Sequence, residues 1–138
     1  LAASIKHKVI LTYGTFDLCH EGHVNLLRRA KSLGDYLIVG VSSDAFNQLK
    51  NKKAIQSFAE RSTAIAALSE VDLVISEYDW SQKIGDILHY GVDIFVMGDD
   101  WAGKFDWLKP YCEVKYLPRT AGVSSSLLRS LIHNSVEV

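Results

Sequence analysis

Five short apolar runs, four of them followed by a stretch with helical spacing, constrain this chain more than any other feature. The runs are HKVILTYG (7–14), YLIVGV (36–41), VDLVIS (71–76), VDIFVMG (92–98) and CEVKYLP (112–118). They are rich in β-branched and aromatic residues, and each meets Gly, Ser or Pro, which reads as buried strands. Between them, Val24, Leu27 and Ala30, with Leu26 and Leu33 beside them, keep helical spacing up to Gly34, a natural stop. After the basic connection NQLKNKKA (47–54), Ser57-Phe58-Ala59-Glu60 is a capping-box pattern opening a helix through about Leu68. WSQKIGDILHYG (80–91) predicts a helix closed by Gly91, and SSSLLRSLIH (124–133) predicts a last helix.

Strands and helices alternating at this spacing imply parallel strands joined by right-handed crossovers. The expected fold is a single doubly wound, Rossmann-like α/β domain over residues 7–134, a five-stranded parallel sheet with helices on both faces. Residues 1–6 are read as an extension outside it. The 138 residues suit one domain, and a net charge of −1 argues against general affinity for nucleic acid or anionic membrane. No apolar run approaches the roughly 18 residues of a membrane-spanning helix. Lys6, His7 and Lys8 interrupt any secretory leader, and the two cysteines, Cys19 and Cys112, read as reduced thiols of a cytoplasmic protein.

In such sheets ligands bind beyond the carboxyl ends of the strands. Residues 14–23, 41–44, 98–101 and 118–126 gather there, and all are polar or Gly-bearing. Neither the dinucleotide fingerprint nor the phosphate loop follows the first run. Gly14-Thr15-Phe16-Asp17 and His20-Glu21-Gly22-His23 stand there instead. Zinc needs three or four ligands, and no second Cys or His cluster completes a set, so no protein metal centre is expected. No serine sits on a nucleophile elbow. A phosphate site fits better. A helix N-terminus offers free N–H groups, imidazoles on its first turn can donate hydrogen bonds to phosphate oxygens and can gain charge near pH 7, and Gly22 lets a nucleotide approach. Thr15 adds a hydroxyl. Arg119, Gly122, Ser124, Ser125 and Ser126 repeat the device before the last helix.

His20-Glu21-Gly22-His23 after a strand is the H-x-G-H signature of the nucleotidylyltransferase superfamily. With YGTFDLCHEGH, GDDW and LPRTAGVSSS, the chain resembles the bacterial glycerol-3-phosphate cytidylyltransferases from about Val9 to about Ile132. That family makes CDP-glycerol for teichoic acid and related surface polymers. The resemblance implies CTP and a small phosphorylated acceptor as substrates, Mg²⁺ carried mainly by the nucleotide phosphates, and a homodimer. It implies catalytic roles for His20, His23, Arg119 and Lys50. Nucleotide contacts are implied for Thr15, Phe16, His20, Gly22, His23, Lys52, Asp100, Arg119, Thr120, Gly122, Ser124, Ser125 and Ser126. Acceptor contacts are implied for Asp17, Lys50 and Lys83. Val123 replaces the family's Ile, serines replace two threonines, and Ser69 stands where relatives carry a nucleotide-contacting Arg, for which Arg61 is the candidate substitute. Asp99 and Asp100 lie on the ligand edge, Trp101, Phe105 and Trp107 read as packing or dimer contacts, and Cys19 as core. The competing readings are the same chemistry on ethanolamine phosphate, a sugar phosphate, or FMN with ATP, and a nucleotide sensor without turnover.

Overall fold

The computed structural model describes residues 7–118. Strands β1 (Val9–Gly14), β2 (Tyr36–Ser42), β3 (Leu73–Glu77), β4 (Ile94–Gly98) and β5 (Glu113–Leu117) form one parallel sheet in the order β3-β2-β1-β4-β5. The order reverses between β1 and β4, and that switch point opens the crevice where ligands of such sheets bind. Helices α1 (Glu21–Ser32), α2 (Asp44–Leu49), α3 (Phe58–Ala66) and α4 (Gln82–Tyr90) supply the crossovers as far as β4, and two 3-10 turns (Asp99–Trp101 and Asp106–Leu108) lead on to β5.

The strands are apolar on both sides because both sides are covered. Leu27 and Ala30 of α1 and Ile65 of α3 pack with Ile10, Val39, Val41 and Val96 on one face. Ile87 of α4 packs with Leu11, Tyr13, Ile38, Phe95 and Met97 on the other. Cys19 lies against the first cluster, as expected of a core thiol.

Two strands begin later than the runs suggest, at Leu73 and Ile94, because the Val-Asp pair before each does another job. A strand's first N–H groups are orphans unless something accepts them. The Asp72 carboxylate accepts the N–H of Leu37, and the Asp93 carboxylate accepts that of Val9, both at 2.8 Å. Gly34 is not a left-handed stop: α1 closes at Leu33, in right-handed conformation. Glycine is needed there because a Cβ would come within 2.7 Å of the Lys8 carbonyl. Gly91 is the left-handed cap of α4, at φ 63°. Helix α2 was not expected. Its six residues are too few to display a helical period, yet Ser43 caps it by accepting the N–H of Phe46. The last predicted helix lies outside the described residues.

Candidate active site

The β1–α1 turn brings His20 and His23 to the switch point with a specific hydrogen-bond pattern. His20 is the N-cap of α1, and its Nδ1 accepts the N–H of Gly22 at 3.0 Å. His23 reaches back one turn, and its Nδ1 accepts the N–H of His20 at 3.3 Å. The two rings stack with centroids 3.8 Å apart. An Nδ1 that accepts carries no proton, so each neutral ring bears its hydrogen on Nε2. His20 Nε2 is buried and has no hydrogen-bond partner among the described residues. A buried donor left unpaired costs about 1–3 kcal/mol, which an incoming acceptor oxygen recovers.

Burial decides the charge these imidazoles carry. Desolvation pushes His23 down from its ordinary 6.5 to about 4, with His20 and Lys52 adding to the effect and Asp17 opposing it. His20 is lowered by burial as well. The imidazoles therefore meet neutral pH as uncharged N–H donors rather than as cations.

The loop that carries them is strained and laced to a second loop. Phe16 and Leu18 hold φ of 54° and 51°, a conformation costly for branched or bulky side chains. Asp17 is buried and accepts the N–H groups of Ile55 and Gln56, while Gln56 accepts the N–H of Leu18. Asp17 therefore ties residues 15–20 to residues 55–56 through its own carboxylate. The buried Phe16 ring meets His23 edge-on at 5.4 Å, so its side chain props the imidazole. Thr15 donates to Asn47 of α2, whose Nδ2 is buried without a partner among the described residues. Arg61 closes the arrangement. Fully buried, it donates to the carbonyls of Thr15, Ser42 and Gln56 and to the Asp44 carboxylate. This commitment removes it as the cation standing in for the missing Arg. Ser69 itself is exposed, in the turn before Asp72, whose N–H bonds Leu37 near the start of β2. That is the end of the sheet away from the histidines.

Lys50 and Lys83 converge at the carboxyl ends of β2 and β3. Lys83 Nζ lies 3.2 Å from Glu77 Oε2, over the rings of Tyr13 and Phe105. Lys50 Nζ lies 2.8 Å from Ser42 Oγ and 3.6 Å from Glu77 Oε1, over the ring of Phe46. Burial lowers Lys50 from its usual range, with Glu77 opposing that shift. Glu77, Ser42 and Asn47 were not singled out in the sequence. A lone acid closing an apolar run at the ligand edge was the available signal for Glu77. Lys52 is exposed on the α2–α3 loop, close enough to His23 for its charge to be felt there. Asp99 and Asp100 sit in an exposed 3-10 turn after β4. Phe105 packs on Phe95, whereas Trp101 and Trp107 are exposed. Arg119, Thr120, Gly122, Ser124, Ser125 and Ser126 lie outside the described residues. Arg29 of α1 holds the carbonyl of Pro118, the residue before them.

A parallel α/β sheet with imidazole N–H donors on a helix N-terminus at its switch point defines a nucleotidyltransferase-type site. The chain belongs to the cytidylyltransferase-like family, whose profile matches residues 11–131. It is 54% identical over 125 residues to the glycerol-3-phosphate cytidylyltransferase of Bacillus subtilis (strain 168), covering 91% of this chain and 97% of that protein. The enzyme of the same name from Staphylococcus aureus (strain NCTC 8325 / PS 47) is 49% identical, covering 91% and 96%. Among solved structures, the lipopolysaccharide core biosynthesis protein from Thermoplasma volcanium GSS1 superposes with a TM-score of 0.67 at 25% identity, over 83% of this chain and 98% of that one. Pantoate-beta-alanine ligase from Francisella tularensis shares the fold alone, with a TM-score of 0.57 at 13% identity, over 99% of this chain and 73% of that one.

Proposed function

We propose that this enzyme transfers a cytidylyl group from CTP to sn-glycerol 3-phosphate, giving CDP-glycerol for teichoic acid or a related surface polymer. The carrying observation is the pair of neutral imidazoles whose Nδ1 atoms are occupied by backbone N–H groups, leaving Nε2 of each ring as the donor. An acceptor phosphate oxygen attacks the α-phosphorus of CTP. A new phosphorus–oxygen bond forms as the bond to the bridging oxygen breaks, and pyrophosphate leaves in line. Such a reaction needs positioning and stabilisation of growing charge rather than a protein nucleophile.

In this scheme His20 and His23 donate at the α- and β-phosphates, with Gly22, Thr15 and the Phe16 backbone beside them. Lys52 adds charge next to His23. Arg119, Thr120, Gly122 and Ser124 to Ser126 take the outer phosphates, and Asp100 lies toward the cytosine and ribose. Lys50 and Lys83 take the acceptor phosphate, and Asp17 serves the acceptor through the loop it fixes. Among the described residues no group of three or more His, Cys, Asp or Glu converges. Mg²⁺ would be held mainly by the nucleotide's own phosphates, where it would neutralise charge on the leaving pyrophosphate. The protein acts in the cytoplasm as a homodimer.

The test is nucleotide choice. With sn-glycerol 3-phosphate as acceptor and CTP, ATP, GTP and UTP compared, CTP alone should give a product with the mass of CDP-glycerol. Turnover with ATP instead, or CTP binding without turnover, would contradict the assignment.

A further inference from the structure

We propose that Glu77 is a positioning residue for the acceptor: one carboxylate that spaces Lys50 and Lys83 and leaves a single surplus positive charge for the incoming phosphate. The proposal rests on the reading of those two lysines as acceptor ligands and assigns the group that arranges them.

Glu77 and Ser42 are the last residues of β3 and β2 and are register partners, so the sheet fixes both at the ligand edge. Glu77 is 5% exposed and Lys83 3%. The two carboxylate oxygens are divided. Oε1 accepts the Ser42 hydroxyl at 2.6 Å and lies 3.6 Å from Lys50, while Oε2 accepts from Lys83 at 3.2 Å. Lys50 arrives from the C-cap of α2 and Lys83 from the first turn of α4. Two ammonium groups against one carboxylate leave one positive charge in a poorly solvated place, where an anion gains more than it would in water. Beyond this triad the neighbouring groups carry both signs. Lys52 adds positive charge, and Tyr13, under Lys83, is hydrogen-bonded to Asp86, which also accepts from Gln82. Ring faces of Phe46 and Phe105 complete the walls.

Without Glu77, burial acts on Lys50 with its main opposing charge removed. Desolvation already lowers Lys50, and Glu77 is the group that holds it up. Glu77→Gln should therefore let Lys50 lose its proton at lower pH and release both lysines from their spacing. The expected result is a KM for sn-glycerol 3-phosphate raised roughly tenfold at pH 7, the scale of one lost charge-assisted contact. That penalty should grow from pH 7 to pH 9 in Glu77→Gln more steeply than in wild type, with KM for CTP within about twofold throughout. The free acceptor phosphate, with a second pKa of about 6, titrates alike in assays of wild type and variant, so the comparison between them is not confounded by it. Glu77→Asp, which keeps the charge, should restore the flatter pH dependence. A role confined to stability would lower the melting temperature without a pH-dependent KM for one substrate. An unchanged acceptor KM, an equal rise in both KM values, or a pH dependence parallel to wild type would overturn the proposal. Lys50→Gln is measured alongside. If it too leaves the acceptor KM unchanged, the lysines are not acceptor ligands and the underlying reading fails with it. If Lys50→Gln raises the acceptor KM and Glu77→Gln does not, the assignment of Glu77 alone is overturned.

Discussion

His20 and His23 carry their hydrogens on Nε2 because backbone N–H groups occupy both Nδ1 atoms. Removing either donor from a charged transition state costs about 1.5–3 kcal/mol, so His20→Ala and His23→Ala should each lower kcat by roughly 10- to 100-fold. Circular dichroism should show the fold intact, and near-wild-type kcat in both variants would contradict the donor role. The same residues set an acid limb of stability. His23 is lowered from 6.5 to about 4, so on acidification the unfolded chain takes up the proton first. The stability that neutral His23 contributes is complete above pH 6.5, and it is lost as pH falls toward about 4. Urea midpoints of wild type should decline across that window, and His23→Gln should flatten the decline. The residue types of this site were legible in the sequence. Their charge was not, since it depends on burial in the folded site and on the charges of groups brought near, Lys52 and Asp17 among them.

At the scale of elements, the site is held by contacts between segments distant in sequence. Arg61 of α3 bridges the β1–α1 loop, the end of β2 and the loop before α3. Arg61→Met leaves those carbonyls without their donor and should cost about 3 kcal/mol or more in chemical denaturation. A loss below 1 kcal/mol (on the order of a surface change) would show that the loops do not depend on it. Gly40 of β2 lies beneath the Tyr13 ring, where a Cβ would meet Cδ1 at 2.3 Å. Gly40→Ala should cost about 1–3 kcal/mol by overpacking. Because Lys83 rests on that ring, the acceptor KM should rise more than the CTP KM in steady-state kinetics. Local patterns announced the capping box at Ser57 and the glycine closing α4, since those signals lie within a few residues. Helix α2 escaped because one and a half turns carry no period, and Asn47 and Glu77 escaped because their neighbours are assembled only by folding.

For the whole molecule, alternation of strand and helix was enough to specify a parallel sheet, and the structure adds the order β3-β2-β1-β4-β5 with its single reversal. Because β3, β2 and β1 are adjacent and parallel, their carboxyl ends lie side by side, so the histidines, the paired lysines and Glu77 share one edge beside that reversal. The family match over residues 11–131 spans the same sheet. The most direct measurement is pyrophosphate release from CTP and Mg²⁺ with and without sn-glycerol 3-phosphate. Release that requires the glycerol phosphate and matches CDP-glycerol formed one for one is the expected result. Release without it, or none with it, would contradict a cytidylyl transfer to this acceptor.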